Sequence, residues 1–394
     1  NDYNKNIINT WKEFAAEGEK HKINLVLDPK KVQTKKSLLN YLIPQNQKKL
    51  KVVFLYPREP KTSAWLYSHE LGRMYLDETF SDKLETEYVA GVDENNVEQV
   101  LEDIIKSGAD IVFCVGPQMM PNSLKVAVEH PEVYILNCSL NAPHPYIRTY
   151  YGRMYEAKFL AGMIAGAVTD NERVAYIADY PIYGMIANIN AFALGVASVN
   201  PRAKVYLAWS KTKDYDRDKF LTENDIHYVS DQDIITPNDA SRHFGLYKLQ
   251  DGQALNLAMP IWNWGVFYEK LLQSVLAGSY KAEGQEQVKA LNYWWGMSAG
   301  VIDLICSKHV PYGVKRLADH LKSDITKGEI VPFFGPIYDQ KGELKNKGEH
   351  EMKPSDIMKM DWLVDNVVGN IPPMSEFIDN ANTVVELKGV EENK

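Results

Sequence analysis

The sequence predicts two successive α/β units behind a helical leading segment. Short, mostly apolar runs alternate with amphipathic helix-like stretches from Lys51 onward, and the alternation begins again near Glu156. Strands of that kind belong to largely parallel sheets covered by helices on both faces. The length, 394 residues, also exceeds what one ordinary core holds.

The elements follow in order. Ile7, Trp11, Phe14 and Ala15 fall at helical spacing, so residues 1–50 begin with a helix. A second helical piece, KSLLNYLI, precedes a linker at Pro44-Gln45-Asn46-Gln47. In the first unit, strands are expected at Val52–Tyr56, Glu85–Ala90, Ile111–Gly116 and Val133–Cys138, with helices at Leu66–Glu78, Val97–Lys106 and Pro121–His130. The second unit opens on an Ala/Gly-rich helix, Glu156–Val168, whose small residues are expected to pack closely on a sheet. Strands follow at Val174–Ala178, Val205–Trp209, His227–Ser230, Phe244–Tyr247 and Leu255–Met259. Helices are expected at Ile186–Val199, Trp264–Leu276, Val314–Thr326 and near Ser355–Val364.

Apolar residues make up 45% and charged ones 24%, as in soluble globular proteins. A net charge of −8 argues against a nucleic-acid surface, and no direct nucleic-acid contact is expected. The three cysteines, Cys114, Cys138 and Cys306, form no disulfide framework or metal cluster. Cys114 and Cys138 lie in apolar runs and read as small buried hydrophobes. No basic-then-apolar leader opens the chain, and no apolar stretch approaches the roughly 18 residues of a membrane span. These features favour a cytoplasmic location, with lipid anchoring at the outer membrane face as the alternative.

Catalytic signatures are missing: no phosphate loop, no G-x-G-x-x-G after a strand, no G-x-S-x-G and no H-E-x-x-H. The expectation is therefore a binding protein without cofactor or metal. Aromatic residues instead gather at strand ends, where open α/β sheets hold ligands. Tyr56 ends the first strand and Trp65 follows it, Tyr151 opens the second unit, and Tyr183 follows that unit's first strand. Trp209, Tyr247 and Trp262 stand at later strand ends. Their flat rings suit a sugar or a nucleobase. Polar partners are expected from Ser63, from Gly116 and Pro117, from Asn137, and from Asp231, whose carboxylate accepts two hydrogen bonds of a diol. Arg153 and Glu156, three apart, would pair on one helix face.

Four stretches carry a resemblance. "GADIVFCVG" (Gly108–Gly116), "YGRMYEAKFLAGMIAG" (Tyr151–Gly166) and "AFALGVASVNP" (Ala191–Pro201) are similar to G-A-D-I-I-x-x-x-G, F-R-E-x-E-G-x-Y-L-A-G-x-x-A and A-F-x-x-G-V-x-x-V-N-P of the basic membrane protein family. Lys61 to Trp65 resembles the D-K-S-F-N loop in part. The family comprises purine-nucleoside-receptor-like substrate-binding proteins of ABC transporters, and the likeness runs from Lys51 to about Ile330. It implies a type I periplasmic-binding-protein fold, in which two lobes joined by hinge crossovers close on a ligand. The lobes would comprise 51–140 with 254–292, and 141–253 with 293–335; residues 1–50 and 336–394 would be extensions. It also implies a purine nucleoside or nucleobase ligand and an ABC permease partner. Longer relatives suggest a fused upstream domain and a ligand-sensing regulatory role instead; a nucleoside-processing enzyme ranks last. The family's stacking position falls at Ala64, so Trp65 would substitute. Its acid after the fourth strand becomes Asn137, its G-V-D becomes Gly245-Leu246-Tyr247, and its crossover lysine falls at Ile261 or Trp262.

Overall fold

The computed structural model describes residues 37–43, 48–140, 143–182, 184–233, 242–277 and 292–379. The helix expected around Ile7–Ala15 lies outside them. The first lobe runs α1 (Leu39–Leu42), β1 (Leu50–Leu55), α2 (Ala64–Thr79), β2 (Leu84–Val89), α3 (Val97–Lys106), β3 (Ile111–Cys114), α4 (Met120–Glu129), β4 (Tyr134–Cys138) and β5 (Ile147–Gly152). The chain then crosses into α5 (Met154–Val168), β6 (Arg173–Ala178), α6 (Met185–Val199), β7 (Lys204–Trp209), α7 (Arg217–Glu223), β8 (Tyr228–Ser230), β9 (Leu246–Gln250) and β10 (Gln253–Trp262). It returns through α8 (Trp264–Leu276) and β11 (Asn292–Trp295). It then crosses again to β12 (Ile302–Cys306), α9 (Tyr312–Lys327), β13 (Pro336–Tyr338), β14 (Leu344–Lys347), α10 (Pro354–Met358) and β15 (Val367–Val368).

The first sheet has the order β11-β5-β4-β3-β1-β2 and is parallel throughout. Phe54, Phe113, Leu136 and Tyr150 face one layer of helices, α2 and α8. Val53, Val112, Ile135 and Ile147 face the other, α3 and α4. The second sheet, β12-β10-β9-β8-β6-β7-β15, is parallel around β6 and antiparallel at β8-β9-β10-β12. In each lobe the strand order reverses at one strand: β1 lies between β2 and β3, and β6 between β7 and β8. The carboxyl ends at such reversals form a crevice.

Local chemistry accounts for the elements. Ser63 caps α2 by accepting from Leu66 N at 3.4 Å, and Asp216 caps α7 through Lys219 N at 3.0 Å. The small residues of α5, expected to pack on a sheet, instead meet the helix α6. A Cβ at Gly162 would strike the Phe192 carbonyl, and one at Gly195 the Phe159 carbonyl, so the two backbones lie in near contact.

Strand pairing moves the expected lobe boundaries. β5 and β11 belong to the first sheet, and β10 to the second. The crossings therefore fall at 152–154, 262–264 and 295–302. β5 follows β4 without an intervening helix. Its sequence hides it, because Arg148 sits mid-run; the structure buries that guanidinium over the Tyr134 and Tyr293 rings and bonds it to the Tyr293 hydroxyl at 2.7 Å. The helix expected at Ser355–Val364 is only the short α10, because Leu363 and Val364 are buried and lead into β15. The described part of the C-terminal extension is clamped to the second lobe. Asn190 donates to Trp362 O at 2.7 Å and accepts from Val364 N at 3.0 Å, Asn366 donates to Ala193 O at 2.8 Å, and β15 pairs with β7. No helix among the described residues is long and apolar enough to cross a membrane.

Candidate functional site

The first turn of α2, fixed by the Ser63 cap, lifts Trp65 out of the β1–α2 loop. Its ring lies 5.9 Å from that of Tyr151 and stands edge-on to Trp262 (5.4 Å, 86°) and Trp264 (5.5 Å, 88°). Trp262 and Trp264 are parallel within 2°, with centroids 5.2 Å apart. Trp262 ends a strand of the second sheet, whereas Trp65 and Tyr151 come from the first lobe, so the nest spans a hinge crossing. Trp65, Tyr151 and Trp262 are half-buried, while Trp264 is fully buried. Beside the nest runs a crease between the lobes, lined by Leu140, Tyr151, Met154, Gly184, Asn188 and Trp294.

Beneath Trp65, buried His69 stacks on Trp264 at 4.0 Å and shares a 2.7 Å hydrogen bond with the Tyr268 hydroxyl, itself 2.9 Å from that of Tyr150. Tyr56 is buried one layer further in and donates to Glu70 at 2.9 Å; Glu70 is held bidentately by Arg73. Gly116 and Pro117 end the β3 segment and begin a 3-10 turn. Asn137 stands beside them, donating from Nδ2 to Gly116 O at 2.9 Å.

Two acids of the second lobe, Asp231 and Asp233, follow β8. Asp231 accepts from the Tyr247 hydroxyl at 2.9 Å and from Gln232 N at 2.8 Å, with Arg217 Nε at 3.8 Å. Arg217 in turn donates to the same hydroxyl at 2.5 Å. Asp231 and Tyr247 thus form one network with α7, in which burial raises the Asp231 carboxyl above its ordinary range against the pull of those donors. Asp233 meets Lys158 of α5 at 2.5 Å, and that ammonium also lies over the Tyr176 ring at 5.3 Å. Burial favours the neutral amine, but Asp233 and Tyr176 together outweigh it, and Lys158 is held protonated.

Of the residues singled out in sequence, the structure brings Trp65, Tyr151 and Trp262 together, Gly116 beside Asn137, and Asp231 onto Tyr247, while Ser63 serves as the cap of α2. Trp209 turns away; its indole donates to Asn370 O at 2.8 Å and meets the Phe377 ring edge-on. Tyr183 lies outside the described residues. Arg153 and Glu156 take separate partners rather than pairing: Arg153 covers the Trp294 ring at 4.9 Å, and Glu156 accepts from Met297 N at 2.7 Å across a crossing. Lys158 escaped notice, although a lone charge inside the apolar run of α5 was the available signal. Among the described residues no cluster of His, Cys, Asp or Glu could hold a metal.

Two α/β lobes, three crossings and an aromatic wall contributed from both sheets define a ligand-binding lobe pair. Residues 49–246 match the model of the Bmp family, described as ABC transporter substrate-binding protein PnrA-like, and the chain belongs to that family. It is 27% identical over 340 residues to a purine-binding protein of Brucella abortus, covering 83% of this chain and 95% of the relative. It is 28% identical over 271 residues to a Haloferax volcanii protein named for ABC-transporter glucose binding, covering 66% of this chain and 67% of that one. A solute-binding protein of an ABC transporter system from Conexibacter woesei superposes with a TM-score of 0.52 at 16% identity, over 72% of this chain and 98% of that one. The fold is that of the type I periplasmic-binding-protein-like solute-binding proteins.

Proposed function

We propose that the chain is the non-enzymatic substrate-binding component of an ABC transporter, and that its ligand is a purine base or nucleoside held between the lobes. The observation that carries this reading is the nest of Trp65, Tyr151 and Trp262, which places flat apolar faces from both lobes at a hinge crossing. Closure would bring a ring against those faces, and stacking tolerates any planar base. The Brucella relative, named for purine binding, supports the same class. The permease would read the closed lobe pair.

The test is calorimetric titration of the purified chain with purines, nucleosides and glucose. Purine or nucleoside binding, with the ligand recovered unaltered, is expected. Glucose binding alone would move the ligand class toward the Haloferax relative, and turnover of a nucleoside would overturn the non-enzymatic reading.

A further inference from the structure

Asn137 of β4, Thr149 of β5 and Asn292 of β11 are register partners across three neighbouring parallel strands. Partners on such a rung project from the same face of the sheet, with strands about 4.8 Å apart. Each carries a buried polar oxygen that meets no hydrogen-bond partner: Asn137 Oδ1, Thr149 Oγ1 and Asn292 Oδ1. Asn137 is 1% exposed and Thr149 0%. One orphan of this kind is an imperfection; three in a row on one rung call for a partner. The next residues along β5 and β11 on that face, Tyr151 and Trp294, are themselves paired and line the interlobe crease.

The chemistry of the rung selects its partner. Asn137 Nδ2 is spent on Gly116 O at 2.9 Å and Cys114 O at 3.4 Å, so its amide is oriented and Oδ1 is left to accept. Asn292 Oδ1 also accepts, and the Thr149 hydroxyl between them can do either. A group that donates twice matches this order, and an amino group on a planar ring edge does so, whereas a single hydroxyl donates once. Resting on the ligand class proposed above, we propose that this rung is a specificity site that reads the amino group of the ligand, with Thr149 and Asn292 its undetected members.

The experiment compares adenine with unsubstituted purine by calorimetry on the full chain. Wild type is expected to prefer adenine by about tenfold, the worth of one or two net hydrogen bonds. Thr149→Val should shrink that preference to within about threefold, and Thr149→Ser should restore it. Should the valine variant fail to fold, Asn292→Leu gives the same reading. An unchanged preference in the folded valine or leucine variant would overturn the inference and leave a rung that holds only water, with the ligand class intact. Equal binding of the two bases by wild type would also overturn the inference alone. Failure of wild type to bind either base, or any other purine, would overturn the ligand class and the inference together.

Discussion

Gly152 and Trp262 share one volume. A Cβ built on Gly152 would fall inside the van der Waals envelope of Trp262 Cζ3 and only 2.9 Å from Ile302 Cδ1. Two crossings therefore interlock, one supplying an indole and the other the space for it. Gly296, on the third crossing, yields its space to the Glu156 carboxylate in the same way.

Gly152→Ala should push Trp262 off its stack on Trp264. The expected cost is the 1–3 kcal/mol typical of overpacking, read from urea unfolding, with a change in tryptophan emission and weaker ligand binding. Unchanged stability and emission would show that the crossing yields, and that the interlock does not hold the nest.

Trp65 is half-buried, and its removal should leave the fold standing. Trp65→Ala is expected to lose about tenfold or more in ligand affinity, since both a ring face and its apolar area go. Trp209→Phe forfeits the bond to Asn370 O and part of a buried ring, and should cost about 1–3 kcal/mol of stability without changing affinity. Equal affinity losses in the two variants would argue against a local role for Trp65.

Lys158 and Asp233 form a buried pair, and breaking it from one side strands a charge. Lys158→Met should destabilise by roughly 3–5 kcal/mol, whereas the double variant Lys158→Met, Asp233→Leu should recover most of that. Denaturant unfolding of the full cycle decides the matter; additive losses would mean the two side chains are not coupled.

Glu156 carries a pH dependence of definite sign. Burial raises its carboxyl above the ordinary 4.5, only partly opposed by the Met297 N–H and by Arg153. The folded state then holds the proton more tightly than the unfolded chain. Stability is therefore lost as pH rises from about 4.5 through the raised value, and is level above it. Glu156→Gln keeps the acceptor for Met297 and removes the titration. Its stability relative to wild type should grow with pH across that window. Asp231 and Asp233, also raised by burial, cancel in the difference. A difference independent of pH would contradict the assignment.

The parts of this protein written in local pattern were legible from the residues alone. The alternation of apolar runs with amphipathic stretches located β1 to β4 and β6 to β10 with their helices except the short α7, whereas the Ala/Gly content of α5 pointed to a sheet and not to its actual contact, α6. The family stretches placed the chain among two-lobed binding proteins. Pairing across long sequence distances was not legible, because it is settled by partners that no local window contains. β5 became a strand because Tyr293 and Tyr134 shelter Arg148. Trp209 became structural because Asn370 supplies a carbonyl to its indole. The same holds for the site. Sequence picked the aromatic residue types, but which rings meet was decided by where the chain crosses between sheets, and by a glycine at 152 that leaves room for an indole from 262.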